Sequence, residues 1–214
     1  MERPLKVGSI NLFLQNVRFV IPINFLSLFM PLIKTSKEEI ISIALNTFRK
    51  YGYYNTSMSD LAKECGLQKG SFYHYFPSKE AIMAAVLDNV YQYLNLKVFA
   101  IAQEIALPPR ARMEKMLLKL GQALLSQEGG CIVGNTTLEV AGQDFAFKET
   151  LKRVFENWTL AMTSIFKEEY PEGTAKRLAQ QSVMEFEGAV MLSQLYDSDQ
   201  YLKDVFVRTL SKMK

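Results

Sequence analysis

Residues 69–80 read Lys-Gly-Ser-Phe-Tyr-His-Tyr-Phe-Pro-Ser-Lys-Glu, the richest stretch of this chain in groups that can touch nucleic acid. Within about two helical turns it gathers Lys69, Ser71, Tyr73, Tyr75 and His74, the protein's only histidine. Phe72 and Phe76 lie four apart and give the segment one apolar face. Lys69, Ser71 and His74 then point the other way, where they reach base edges. Tyr73, Tyr75 and Lys79 suit phosphate oxygens, and Gly70 lets the backbone approach a duplex closely. Other chemistry has little to work with. Cys65 and Cys131 form no CxxC pair, and one histidine nearly excludes a His/Cys zinc site. A Ser-His-Asp or Cys-His centre would need His74, which already sits in this segment. The sequence calls for no metal and no cofactor.

The elements around this stretch predict how it is held. Ser57 is placed as an N-cap with Asp60 three residues on, and Met58, Leu61, Ala62 and Cys65 form an apolar stripe. Gly66 makes a turn, and the segment from Lys69 follows as a second short helix. Helix, glycine turn and polar-aromatic helix together are the form of a helix-turn-helix, which sets its second helix in the major groove. Thr56 and Ser57 stand at a helix N-terminus, where free N–H groups favour phosphate. One helix earlier, Thr35 or Ser36 with Glu38 or Glu39 suggests a capping box, and Ile40, Ile41, Ala44, Leu45 and Phe48 form a stripe ending at Gly52. Ser78 caps a fourth helix, with Ile82, Val86, Val90 and Leu94 at four-residue spacing, expected to run to about Glu104.

The remainder reads as more helix. Leu107-Pro-Pro109 is a break, and Met113, Met116, Leu117, Leu120 and Leu124 form the next stripe, ended by Gly129-Gly130. Residues 131–141 are ambiguous: Ile132, Val133, Thr136, Thr137 and Val140 have strand character, while helical neighbours favour a short helix. Phe147, Leu151, Val154, Phe155, Trp158, Met162, Ile165 and Phe166 carry the strongest helical period. Pro171-Glu-Gly173 closes that helix, Thr174 is placed to cap the next, through about Tyr196, and a final helix carries Leu202, Val205, Phe206 and Leu210. The fold class is all-α. With 214 residues, 49% of them hydrophobic and 22% charged, the chain is globular. Its net charge of +3 is too small to argue for nucleic acid without the placement of the basic residues.

The first 33 residues differ from the rest. Residues 10–33 are apolar, with Arg18 the only charge. A membrane helix needs roughly 20 mainly apolar residues, but Asn11, Gln15, Asn16, Asn24, Pro22 and Pro31 interrupt this one. No small-x-small cleavage site stands out. Met30 is read as the natural start, with residues 1–29 as upstream sequence or an extension without its own fold. A membrane anchor at residues 10–33 is the alternative.

Residues 35–81 resemble the DNA-binding domain of the TetR family of transcriptional regulators. The resemblance rests on Lys37-Glu-Glu-Ile40, Phe48, Tyr51-Gly-Tyr53, Thr56-Ser57, Leu61-Ala62, Gly66-Leu67 and the run from Lys69 to Glu80. Gln68 departs from the family's frequent Ser or Thr and is a poorer cap for the reading helix. Gly130-Cys-Ile-Val-Gly-Asn135 followed by Glu139 resembles a segment found in one subset of that family.

The resemblance implies an extension at 1–33, a three-helix DNA-binding domain at 34–81, and a helical effector-binding and dimerisation domain at 82–214. It further implies a cytoplasmic regulator, a repressor, binding a double-stranded palindromic operator as a homodimer through residues 174–213. Gly188-Ala189 would permit close helix approach there, and Val190, Leu195, Tyr201, Val205 and Phe206 would supply apolar surface, or else the domain's own core. An effector pocket is expected among Met113, Met116, Cys131, Asn135, Glu139, Trp158, Met162, Met184 and Glu187, with Phe186 and Met191 nearby. Buried, Glu139 and Glu187 would need a partner such as a cationic or hydroxylated ligand. Cys131 follows two glycines at a helix start, where a thiol's pKa falls. It is therefore a candidate sensor of electrophiles, or alternatively a small buried hydrophobe. A membrane-associated regulator remains a second reading. A helical enzyme is a third, for which the chain offers no polar groups at recognisable spacing.

Overall fold

Serines open three of the first four helices, and each does so through its own hydroxyl. In this computed structural model, which describes residues 36–125 and 129–214, helix α1 spans Lys37–Tyr51. It starts with a reciprocal box in which Ser36 accepts from the Glu39 N–H and Glu39 accepts from the Ser36 N–H. Helix α2 spans Met58–Glu64 and repeats the device with Ser57 and Asp60. Helix α3, Lys69–Tyr75, begins at Gln68 with no side-chain cap bond. Helix α4, Lys79–Lys97, begins where Ser78 accepts from the Ala81 N–H. Each such serine contributes about 1 kcal/mol relative to alanine. The expectations for residues 1–33, including a start at Met30 and an anchor at 10–33, lie outside the described residues.

Helices α5 (Pro109–Leu125), α6 (Ile132–Glu139), α7 (Lys148–Phe166), α8 (Glu172–Leu195) and α9 (Gln200–Ser211) complete the order. No strand occurs among the described residues. The segment from Ile132 is helical, so its β-branched residues are overridden by packing: Ile132, Val133 and Thr136 are buried. Residues 35–214 form one compact unit. Within it α7 packs on α8, α8 on α9, and α9 and α7 on α5, while α4 runs from α1 to α7. Among the described residues no helix is long and apolar enough to cross a membrane.

Two boundaries differ from the sequence reading. The fourth helix stops at Lys97, and Phe99–Gln103 forms a 3-10 turn instead. Phe99 and Ala102, three apart, are both buried, a spacing that a helix with three residues per turn aligns. The eighth helix starts at Glu172, immediately after Pro171. Thr174 therefore lies inside it and caps nothing.

Candidate nucleic-acid interface

The turn between α2 and α3 is closed by backbone alone. The Gly66 N–H donates to Lys63 O at 3.0 Å and the Leu67 N–H to Ala62 O at 2.9 Å. Gly66 sits at φ +65°, the left-handed region that suits a residue without Cβ. This pairing points α3 away from α2. Phe72 and Phe76 then enter the core beside Ile40, Phe48 and Leu61. Truncating a phenylalanine so buried costs about 3–5 kcal/mol.

Burying that face exposes the opposite one. Lys69, Gly70, Ser71, Tyr73 and His74 are all exposed, Tyr73 by 43%. Nothing lies within 4 Å of a Cβ built on Gly70, so the backbone there is open to close approach. Tyr75 is half-buried and packs against the core with its ring. The exposed set offers an ammonium, hydroxyls and an imidazole along one side of one helix.

Three residues expected at the DNA surface make hydrogen bonds within the chain. Thr56 is buried, and its hydroxyl donates to Gly52 O at 2.6 Å, so its side chain braces the loop and does not face solvent. Ser57 is exposed, but its hydroxyl donates to Asp60 Oδ2 at 2.6 Å while accepting from the Asp60 N–H. Lys79 donates to Tyr53 O at 2.7 Å and its Nζ lies 4.4 Å from the Tyr53 ring centroid. Burial lowers the pKa of Lys79, while Glu139 opposes that fall. Lys79 thus braces the loop at Tyr53 from within.

Tyr53, a residue of the family resemblance, is buried at the centre of this region's packing. Its ring is buried and stands edge-on to Phe145 and Phe147, each at 5.5 Å between centroids. Its N–H donates to Glu139 Oε1 at 3.1 Å, and the Tyr54 N–H donates to Glu139 Oε2 at 3.0 Å. Bonds to a charged acceptor of this kind contribute about 1.5–3 kcal/mol each. Glu139 is thus held by backbone N–H groups of the loop after α1 and does not await a cationic ligand.

The other expected pocket residues separate into groups. Met113, Met116, Trp158 and Met162 are buried together with Phe186. Trp158 stacks near Phe99 at 6.5 Å and tilts against Phe186 at 5.7 Å, and its Nε1 is buried without a hydrogen-bond partner. Met184 and Met191 are exposed, Met184 by 68%, so neither lines an interior pocket. They occupy the outer face of α8. The Asn135 side chain donates to Gly129 O at 2.6 Å and ties down the loop before α6.

Cys131 does stand at a helix start, where its Sγ accepts from the Gly134 N–H at 3.4 Å. The expected low pKa is overturned. Burial pushes the thiol well up, the neighbouring Glu187 carboxylate pushes it further, and the backbone bond only partly offsets them. Glu187 is itself raised by burial, with the bond from Cys131 opposing, and its Oε1 is buried and unpartnered. Cys65 is raised to about 11, first by burial and then by Glu64.

With this geometry described, comparison with known proteins gives a consistent answer. Residues 40–86 match the family described as bacterial regulatory proteins, tetR family. Residues 109–207 match the C-terminal domain described as transcriptional regulator LmrA/YxaF-like. The HTH-type transcriptional repressor DhaR of Mycobacterium sp. (strain GP1) is 24% identical over 180 residues, covering 79% of this chain and 90% of that protein. The HTH-type transcriptional regulator LmrA of Bacillus subtilis (strain 168) is 26% identical over 166 residues, covering 74% and 86%. Among solved structures, a TetR transcriptional regulator from Legionella pneumophila superposes with a TM-score of 0.78 at 22% identity, covering 86% of this chain and all of that one. That last likeness concerns the fold alone. The chain belongs to the TetR family. It is a DNA-binding transcriptional regulator.

Proposed function

We propose that this regulator is a cytoplasmic repressor that binds a palindromic operator as a homodimer and leaves it when a small molecule enters its C-terminal half. The observation that carries the DNA side is the exposed row Lys69, Ser71, Tyr73 and His74, set across α3 from the buried Phe72. Tyr73 grips a phosphate, and Lys69, Ser71 and His74 reach base edges. Similarity to a named repressor supports the sign of regulation.

The outer face of α8 supports the dimer. Met184, Met191 and Leu195 are exposed at spacings of seven and four, one helical stripe, and Gly188 lies on the same stripe with open space above it. A second copy laid on this stripe and on Val207 of α9 covers them, with Gly188 as the point of closest approach. The domain division at residues 81 and 82 belongs to the same proposal: α3 reads, and the helices from α4 onward dimerise and bind the effector.

The effector enters among Met113, Met116, Trp158, Met162 and Phe186. The buried Trp158 Nε1–H has no acceptor, so an apolar molecule bearing an acceptor satisfies it. Methionines adapt their shape to such a guest.

Selection of DNA fragments from the source genome by the purified chain tests this reading. Enrichment of an inverted repeat with half-sites about 34–36 Å apart, or a multiple of it, supports the proposal. Enrichment of no sequence, with binding that stays equal across fragments, overturns it.

A further inference from the structure

We propose that Glu139 is a positioning residue for DNA recognition, acting through the peptide groups of Tyr53 and Tyr54 on the first turn of α4. The inference rests on the reading of α3 as the DNA-contacting helix. Its basis is that one short loop is gripped from two sides by opposite charges. On the N–H side, Glu139 at the end of α6 accepts from Tyr53 at 3.1 Å and from Tyr54 at 3.0 Å. On the carbonyl side, Lys79 donates to Tyr53 O at 2.7 Å and approaches Tyr54 O at 3.5 Å. The Tyr53–Tyr54 peptide group is therefore bonded to a carboxylate through its N–H and to an ammonium through its carbonyl, and each charge polarises the bond made by the other.

The two ends of this relay belong to different halves of the molecule. Glu139 closes α6, whose opposite end meets α8 through Cys131, Gly134 and Glu187. Lys79 opens α4 three residues after Phe76, which caps α3. Any shift of α6 therefore pulls on the loop at Tyr53 and, through Lys79, on the seating of α3. The loop is built for this closeness. Gly52 sits at φ +81°, and a Cβ there would lie 2.8 Å from Glu139 Oε1, so only glycine admits the carboxylate. The Tyr53 ring stands edge-on against Phe145 and Phe147, which anchors the loop on the body of the protein.

The test compares wild type with Glu139→Gln, which keeps the reach and one acceptor but loses the charge, and with Glu139→Ala. Two quantities are measured: amide exchange at Tyr53 and Tyr54, and affinity for the selected duplex against an unrelated duplex of equal length. Circular dichroism confirms that each variant is folded. In Glu139→Ala we expect exchange at the two amides to rise about tenfold or more. Affinity for the selected duplex falls about tenfold, while affinity for the unrelated duplex, which needs no alignment of α3, stays within about twofold. Glu139→Gln lies between. A contact that only adds stability lowers melting temperature and leaves the ratio of the two affinities as in wild type, and that outcome overturns the proposal. Unchanged amide exchange overturns it as well. If wild type itself fails to discriminate the two duplexes, the DNA-reading assignment of α3 is at fault, and the role of Glu139 falls with it.

Discussion

The Cys131 thiol and the Glu187 carboxyl lie together beside Gly134, joining the start of α6 to the middle of α8, and burial favours the neutral form of both groups. A negative charge on either raises the cost of charge on the other. The folded chain is therefore expected to label slowly at Cys131 with iodoacetamide near neutral pH, at least about a hundredfold slower than the urea-unfolded chain. Glu187→Gln removes the carboxylate's contribution and speeds labelling, but burial remains, so the rate stays below that of a free thiol. Mass spectrometry of the Cys131 peptide gives both rates. Rapid labelling of folded wild type would restore a reactive thiolate at this site.

The same carboxyl makes stability depend on pH. Burial raises the Glu187 pKa above its ordinary value of 4.5. The folded state then holds this proton longer than the unfolded chain, so its contribution is complete below 4.5 and is lost as pH rises through the elevated folded value. Glu187→Gln mimics the protonated form at every pH. Its melting temperature relative to wild type is expected to climb as pH goes from 4.5 toward neutrality. A difference that stays flat over that range contradicts a buried, hard-to-ionise carboxyl.

On α3, two kinds of substitution should behave differently. Tyr73→Phe is expected to remove a proposed phosphate contact and to weaken all duplexes alike. Lys69→Ala, Ser71→Ala and His74→Ala are expected to remove proposed base contacts and to cost about 1–3 kcal/mol on the selected site only, relaxing preference at particular base pairs. Fluorescence anisotropy at several salt concentrations, with a panel of single-base variants, separates the two patterns. Uniform weakening by His74→Ala would place the imidazole on the backbone and not on a base.

The stripe on α8 gives a prediction about assembly. Met184→Glu and Leu195→Glu place charges on an exposed apolar face, so the fold of the single chain is untouched while a covering partner is repelled. Sedimentation velocity is expected to show a dimer for wild type and a monomer for either variant. Dimers of unchanged affinity in both would move the interface elsewhere.

Local features are legible in the sequence, and contacts between distant segments are not. The caps at Ser36, Ser57 and Ser78 follow from residues three apart, since a hydroxyl can reach only the next turn. The exposed face of α3 follows likewise from Phe72 and Phe76. Glu139 meets backbone 86 residues earlier in the chain, and no periodicity marks such a bond. Its one hint is Gly52, a glycine beyond what ending a helix demands. Met184 is misplaced because α8 carries apolar residues on two faces: Val183, Phe186 and Val190 turn inward, while Met184, Met191 and Leu195 turn outward. Position along the helix cannot rank those faces. For Cys131 the helix start is local and legible, whereas the burial and the facing Glu187 that reverse its acidity come from α8.

The central claim is that two α3 helices of one dimer read two half-sites together. Sedimentation equilibrium of the chain with the selected palindrome, and with a duplex holding a single half-site, tests it most directly. The account predicts two chains on the palindrome, and binding to the single half-site weaker by about a hundredfold or more, because the second contact is lost with its half-site. One chain saturating the single half-site as tightly as two saturate the palindrome would contradict it.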